Sequence, residues 1–216
     1  RLMTSSTPLV DLLTGTRAAL LVVDMQNDFC AADGYVAALG LDNAPCRAIV
    51  DRLAGFIAAA RRDAVPVLWT WANYDDALVP ASFLRKKRTA GISRACCVPG
   101  TPGYEAFGVA PANGEPLFVK HCYSAMTNPD LPAHLEREGI QTLIFAGVQT
   151  NVCVESTLRE AYNRGYNVVV AEDCVASHTA PLHEATLKNV RALLGIVASS
   201  AEIEAAWMAS ATVSAV

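Results

Sequence analysis

The chain has 216 residues, 52% of them hydrophobic, with a formal net charge of −4 and a pI near 5.5. That is apolar material for one well-packed domain and little for two, so 1–216 is expected to be a single domain with 1–14 as an N-terminal extension. The charge balance argues against nucleic acid as the main partner, and the longest apolar runs fall far short of the roughly 20 residues a membrane span needs.

Arg17–Val23 is a short continuous apolar run, the pattern of a parallel strand buried on both faces. It stops at Asp24, and Met25-Gln26-Asn27-Asp28-Phe29 follows. This places Asp24 at the carboxyl end of a strand, where open α/β sheets bind ligands. Taken alone, a turn or cap residue is an equal reading. Between Ala44 and Arg62, the residues Ile49, Leu53, Phe56, Ile57 and Ala60 recur at helical spacing, predicting an amphipathic crossover helix. Pro66–Trp71 reads as the second strand, with Asn73, Tyr74 and Asp75 just past its end.

Residues 77–115 show little periodicity, and a loop of this length in a compact domain is usually functional or covers something. Its basic run, Arg85-Lys86-Lys87-Arg88, reads as a solvated face. Pro116–Val119 is the third strand, ending at Lys120, and His121-Cys122-Tyr123-Ser124 follows. A helix is expected over 128–137, capped by Asn128 or Asp130, and a fourth strand over 141–146. Thr150–Arg164 reads as a helix stopped by Gly165, and Tyr166–Ala171 as the fifth strand. A helix over 181–194, a sixth strand over 195–198 and a helix over 201–209 complete the pattern. Strand and helix alternate nearly throughout, which predicts a three-layer, doubly wound, mostly parallel six-stranded sheet of Rossmann-like type.

The seven cysteines are odd in number and lack paired CxxC spacing, so they read as reduced thiols. Cys96 and Cys97 are adjacent and cannot easily bridge each other. Arg1–Thr7 has no apolar signal-peptide core, and a cytoplasmic location is expected. The histidines His121, His134, His178 and His183 form no HExxH motif or Cys/His cluster, so neither a metal nor another cofactor is expected.

Cys153 follows the fourth strand in the first turn of a helix, where free N–H groups and the helix dipole are expected to lower a thiol's pKa. A buried structural cysteine is the plainer reading of that residue alone. Asp24 after the first strand and Lys120 after the third change the balance, because the carboxyl ends of parallel strands share one sheet edge. A carboxylate can take the thiol proton, an ammonium can hold both anions, and the thiolate can attack a carbonyl carbon. Backbone N–H groups of the Thr150–Cys153 turn can receive the oxyanion.

With these residues in place, the motifs AALLVVDMQNDF, LFVKHCYS and FAGVQTNVCVESTLREAYNRGYNVVVAEDC, and more weakly PGTPGYE, make the chain similar to the isochorismatase-like cysteine hydrolases from about Arg17 to Trp207. GVQTNVCVESTLREA most resembles the branch of ureidoacrylate, N-carbamoyl and streptothricin hydrolases. The resemblance implies Asp24 as general base, Lys120 as charge-stabilising group and Cys153 as nucleophile. It also implies a cis peptide at Val148–Gln149 that aims the N–H groups of Gln149 and Cys153 into an oxyanion hole, and a homodimer or homotetramer. Nicotinamidases of the family carry an Asp-x-His motif and a further histidine after the second strand for a metal. Trp71–Asp76 has no histidine here, so neither metal nor nicotinamide is expected. Isochorismate-cleaving members lack the nucleophilic cysteine.

The expected activity is therefore metal-independent hydrolysis of a C–N bond in a small amide, ureide or lactam, through a Cys153 thioester. A vinyl ether hydrolase and a non-catalytic binding protein on the same fold are the alternatives. Phe29, Trp71, Asn73, Tyr74, Tyr123 and Gln149 are the expected substrate-binding residues, each just past a strand end or on a motif. His121, beside Lys120, is a weaker candidate base than Asp24. His178 and His183 read as capping or solvent-exposed residues.

Overall fold

The computed structural model describes residues 7–213. Thr7 begins the fold, its hydroxyl accepting the Val10 N–H at 3.4 Å to cap helix α1 (Pro8–Gly15). Pro8 occupies the first turn, where its missing N–H costs nothing. Leu9 and Leu13 of α1 are buried, so from Pro8 onward the expected extension is packed structure; residues 1–6 of it lie outside the described residues.

Strand β1 (Ala18–Val23) is followed by three short helices, α2 (Asn27–Cys30), α3 (Tyr35–Ala38) and α4 (Ala44–Ala48). The main crossover helix α5 (Val50–Arg62) then leads into β2 (Val67–Ala72), so the expected helix over 44–62 is broken at Ile49. Next come α6 (Ala81–Thr89), β3 (Leu117–Lys120), a 3-10 turn (Ala125–Thr127) and α7 (Asp130–Arg137). The Asn128 side-chain oxygen accepts the Asp130 N–H at 2.9 Å where α7 starts. Strand β4 (Thr142–Val148) runs into a π-helical turn (Thr150–Val154) and α8 (Glu155–Asn163), so the single helix expected from Thr150 is two segments. The chain closes with β5 (Asn167–Ala176), α9 (Ala180–Asn189), a second π-helical turn (Val190–Leu194), β6 (Gly195–Ala198) and α10 (Ser200–Val213). β5 outruns its expected end at Ala171 because an irregularity between Phe145 and Gly147 lets β4 pair again with Val175 and Ala176.

All six strands are parallel, in the order β3-β2-β1-β4-β5-β6. Burial on both faces explains the unbroken apolar runs. Leu20 and Val22 of β1 join one core with Leu13, Phe56, Ile57 and Trp207, from α1, α5 and α10. Ala19, Leu21 and Val23 join the other with Leu131, Leu158 and Leu187, from α7, α8 and α9. Phe56 and Trp207 stack at 5.2 Å between ring centroids, tying α5 to α10.

The segment 77–115 is not structureless. It contains α6, and its remaining coil is tied down by isolated bridges from Tyr74 to Cys96 and from Gln26 to Ala106. The basic run lies on α6 and is only partly solvated: Lys87 is buried, its ammonium 2.5 Å from Asp76.

Candidate active site

From β1 the chain crosses to β2 and β3 on one side, and from β4 to β5 and β6 on the other, which makes the β1/β4 boundary the point where a crevice opens at the carboxyl ends. Gly147 allows the two strands to close there. Its φ is +102°, and a Cβ would fall 2.1 Å from the Val23 carbonyl oxygen. Just beyond β1, Asp24 adopts φ +50°, an uncommon conformation held by its N–H to the Thr70 carbonyl at 2.9 Å. The Thr70 hydroxyl donates to the Asp24 carboxylate at 3.2 Å.

Lys120, at the end of β3, lies two strands from Asp24, about 10 Å at the usual strand spacing. Only a long side chain bridges that gap, and Ala72, paired with Lys120 in the ladder, presents no more than a methyl group. The Lys120 Nζ lies 2.7 Å from Asp24 Oδ2, 3.4 Å from Cys153 Sγ, 2.8 Å from the Tyr74 hydroxyl and 3.2 Å from the Cys122 carbonyl. Asp24, Lys120 and Cys153 are all buried. Cys153 sits in the π-helical turn, and Thr157 braces it by donating to the Cys153 carbonyl at 2.7 Å while accepting the Ala125 N–H at 3.0 Å. The Val148–Gln149 peptide is cis. In this turn the Gln149 carbonyl takes the N–H groups of Val152 (3.0 Å) and Val154 (3.2 Å).

Burial pushes Asp24 above its ordinary carboxylate value, and the Lys120 charge and hydrogen bonds from Lys120, Cys153 and Thr70 only partly offset this. For Lys120, burial opposes the ammonium, but the attraction of Asp24 and Cys153 prevails and raises its pKa. The Cys153 thiol is pushed up to about 12, mainly by burial, with Lys120 acting against the shift and Asp24 adding to it. This overturns the expectation that the helix start lowers the thiol's pKa. The dipole and free N–H groups do not compensate for complete burial beside a carboxylate. Burial thus favours the protonated thiol, beside the Lys120–Asp24 ion pair.

Cys46 and Cys174 are likewise pushed up to about 12 from 9.0, chiefly by burial. A folded-state pKa raised above the unfolded value contributes stability that is intact below pH 9.0 and lost as the pH rises toward about 12. Urea unfolding is expected to show falling stability across that window, by up to about 1.4 kcal/mol per pH unit for each thiol. A flat profile would mean that the thiols ionise equally well in the folded chain.

A cavity of about 250 Å³ opens over Cys153. Phe29, Tyr74, Tyr123 and Gln149 line it. Trp71 and Asn73 do not. The Trp71 ring, still on β2, packs edge-on against Tyr104 at 5.3 Å, and past the strand the Asn73 side-chain oxygen caps the Asp75 N–H at 3.2 Å. Gln149 lines the cavity, yet its side-chain oxygen is engaged by the Ser177 hydroxyl at 3.4 Å, the His178 N–H at 3.2 Å and the His178 ring. His183 bonds the Thr150 hydroxyl at 2.9 Å, so His178 and His183 brace the turn that carries Cys153, contrary to the expected capping or exposed roles. His121 turns to the Asn73 carbonyl at 2.9 Å.

Tyr74 contributes more than a wall. Its hydroxyl lies 3.4 Å from Cys153 Sγ as well as beside Lys120, a position no spacing rule could have revealed. Sequence reasoning also missed Val36, Leu39, Phe83 and Ile92 of the cavity wall. Their only signal was apolar character inside segments without clear periodicity. Among the described residues, one group of potential metal donors lies close together: Asp28, Cys96 and Cys97. The Asp28 oxygens there already accept the N–H groups of Tyr35 at 3.1 Å and Cys97 at 2.6 Å.

A parallel α/β sheet carrying a buried carboxylate, ammonium and thiol at its switch point defines the class of cysteine hydrolases. The chain belongs to the isochorismatase domain family, whose model matches residues 18–202. It is 33% identical over 201 residues to the ureidoacrylate amidohydrolase RutB of Methylorubrum extorquens, covering 87% of this chain and 81% of that protein. The RutB of Klebsiella pneumoniae is 30% identical over 197 residues, with 84% and 83% covered. Among solved structures, an isochorismatase family protein from Desulfovibrio vulgaris superposes with a TM-score of 0.75 at 28% identity, covering 88% of this chain and 97% of that one. The nicotinamidase PncA of Bacillus subtilis gives 0.72 at 26% identity, covering 84% and 99%.

Proposed function

We propose that this protein is a metal-independent cysteine amidohydrolase, cleaving the C–N bond of a small amide, ureide or lactam through a Cys153 thioester. The observation that carries this reading is the Lys120 ammonium, 2.7 Å from the Asp24 carboxylate and 3.4 Å from the sulfur of Cys153, which lines the cavity. The amidohydrolase activity of the RutB relatives agrees with it.

In this mechanism Asp24, its basicity raised by burial, takes the thiol proton as the carbonyl carbon arrives. The thiolate adds, and the oxyanion is received by the N–H groups of Gln149 and Cys153, which the bonds to the Gln149 carbonyl leave out. Lys120 and Tyr74 hold the developing charge. The tetrahedral adduct expels ammonia or an amine, which leaves with the proton held by Asp24. Water, deprotonated by Asp24, then attacks the thioester and releases the acid.

Ammonia or amine release from a panel of amides, ureides, carbamoyl amino acids and lactams tests the reading. Absence of release from every class would sink it. Tyr74→Phe removes one hydrogen bond to the sulfur and one to Lys120 and is expected to lower kcat about tenfold with little change in KM. Dialysis against EDTA is expected to leave the rate unchanged; a loss restored by a divalent ion would overturn metal independence. A cytoplasmic setting suits the seven free thiols. Assembly as a homodimer or homotetramer is part of the same proposal, supported by the exposed Leu193 and Met208 near the end of the chain.

A further inference from the structure

The cavity wall has a chemical bias that the reacting centre does not explain. Val36, Leu39 and Leu41, from α3 and the turn after it, face Phe83 and Ile92, from α6 and beyond, with Val152 beside the sulfur. Several polar groups of the lining, its one buried cation among them, are committed elsewhere. Lys87 is paired with Asp76 at 2.5 Å, the Gln149 oxygen with Ser177 and His178, and the Tyr74 hydroxyl with Lys120 at 2.8 Å. Lys86 is exposed, so its ammonium stays in water while its stem adds to the wall. An anionic substituent in this cavity would lose its hydration without an uncommitted buried cation to replace it.

Resting on the amidohydrolase reading, we propose that the site takes carboxamides whose acyl side carries an apolar, aryl-sized or branched alkyl group, in preference to carboxylate-bearing amides and ureides. The aromatic faces of Phe83 and Tyr123, whose rings lie 5.4 Å apart, and the aliphatic side chains of Leu41 and Ile92 form the subsite for that group. The acyl group remains there as the thioester, which shields the sulfur side of the intermediate while ammonia departs.

The test is a ladder of kcat/KM values from ammonia release with acetamide, butyramide, isovaleramide and hydrocinnamamide, and with succinamate as the anionic counterpart of butyramide. Each added methylene is expected to raise kcat/KM about fourfold, and succinamate to lie at least about tenfold below butyramide. Phe83→Ala is expected to flatten the top of the ladder, with hydrocinnamamide losing about tenfold relative to acetamide. A flat or falling ladder, or succinamate at or above butyramide, overturns the subsite while Cys153-dependent ammonia release leaves the amidohydrolase reading standing. Should no member release ammonia, the wider panel of ureides, carbamoyl amino acids and lactams decides that reading separately. Calorimetric binding to Cys153→Ala then decides the subsite: tighter binding of hydrocinnamamide than of succinamate supports it, and equal or weaker binding overturns it.

Discussion

Cys153→Ala is expected to reduce amide turnover at least about ten-thousand-fold while leaving the fold intact, since it removes the atom that forms the covalent intermediate. The side chain loses only its sulfur, at a site where Thr157 and Val154 hold the backbone independently of it, so the stability change is expected to stay near about 1 kcal/mol. Single-turnover assays and a thermal melt on the same preparation measure both quantities. Residual release above about one hundredth of wild type would exclude Cys153 as the nucleophile. The variant is also expected to lose less stability than wild type above pH 9.0, because one thiol with a raised pKa has been removed.

Lys120→Met has the second large effect and acts on two observables in opposite directions of pH. Removing the ammonium leaves the Asp24 carboxylate buried without its ion-pair partner, which is expected to cost about 3–5 kcal/mol at neutral pH. Asp24 already titrates above the ordinary 3.8 in the folded chain, and loss of the cation raises it further. A carboxyl group with a raised folded-state pKa contributes stability that is present below the unfolded value and lost as the pH rises. The variant is therefore expected to approach wild-type stability near pH 3.8 and to fall away from it toward neutrality. Turnover is expected to drop at least about a thousandfold at pH 7, because the ammonium that holds the charge of the sulfur and of Asp24 is gone. Adding Asp24→Asn to Lys120→Met is expected to recover stability but not activity. If the single variant proved as stable as wild type at pH 7, the pair would not be the coupled unit its 2.7 Å separation implies.

The sheet was legible because burial on both faces writes strands as unbroken apolar runs, and the reacting trio was legible because parallel strand ends share an edge. Ladder geometry placed Asp24, Lys120 and Cys153 together even though 129 positions separate the first from the last. What escaped was set by tertiary contacts. Gln26, within the motif that points to Asp24, is buried in bonds to Ala72 and Tyr104 and braces the end of β2. Trp71 and Asn73 stood at the right place in the chain, but Trp71 packs on Tyr104 from within β2, and the direction taken after β2, at Asn73, is decided by that brace and by the Tyr74–Cys96 bridge. The sign of the Cys153 shift was misjudged because a sequence shows a helix start but not how far its sulfur lies from water. The wall formed by α6 carried little signal because the helix is short and Phe83 and Leu84 stand directly before four consecutive basic residues.

That wall enters the chain between β2 and β3, whereas Asp24, Lys120 and Cys153 stand at the ends of strands that the core holds in place. The part of the subsite carried by Phe83 and Ile92 thus lies in a stretch of sequence separate from the chemistry. An inserted segment of different length or character at 77–115 would give another specificity without touching a single ladder bond, so diversification in such a scaffold proceeds by exchanging covers over an unchanged reaction vessel.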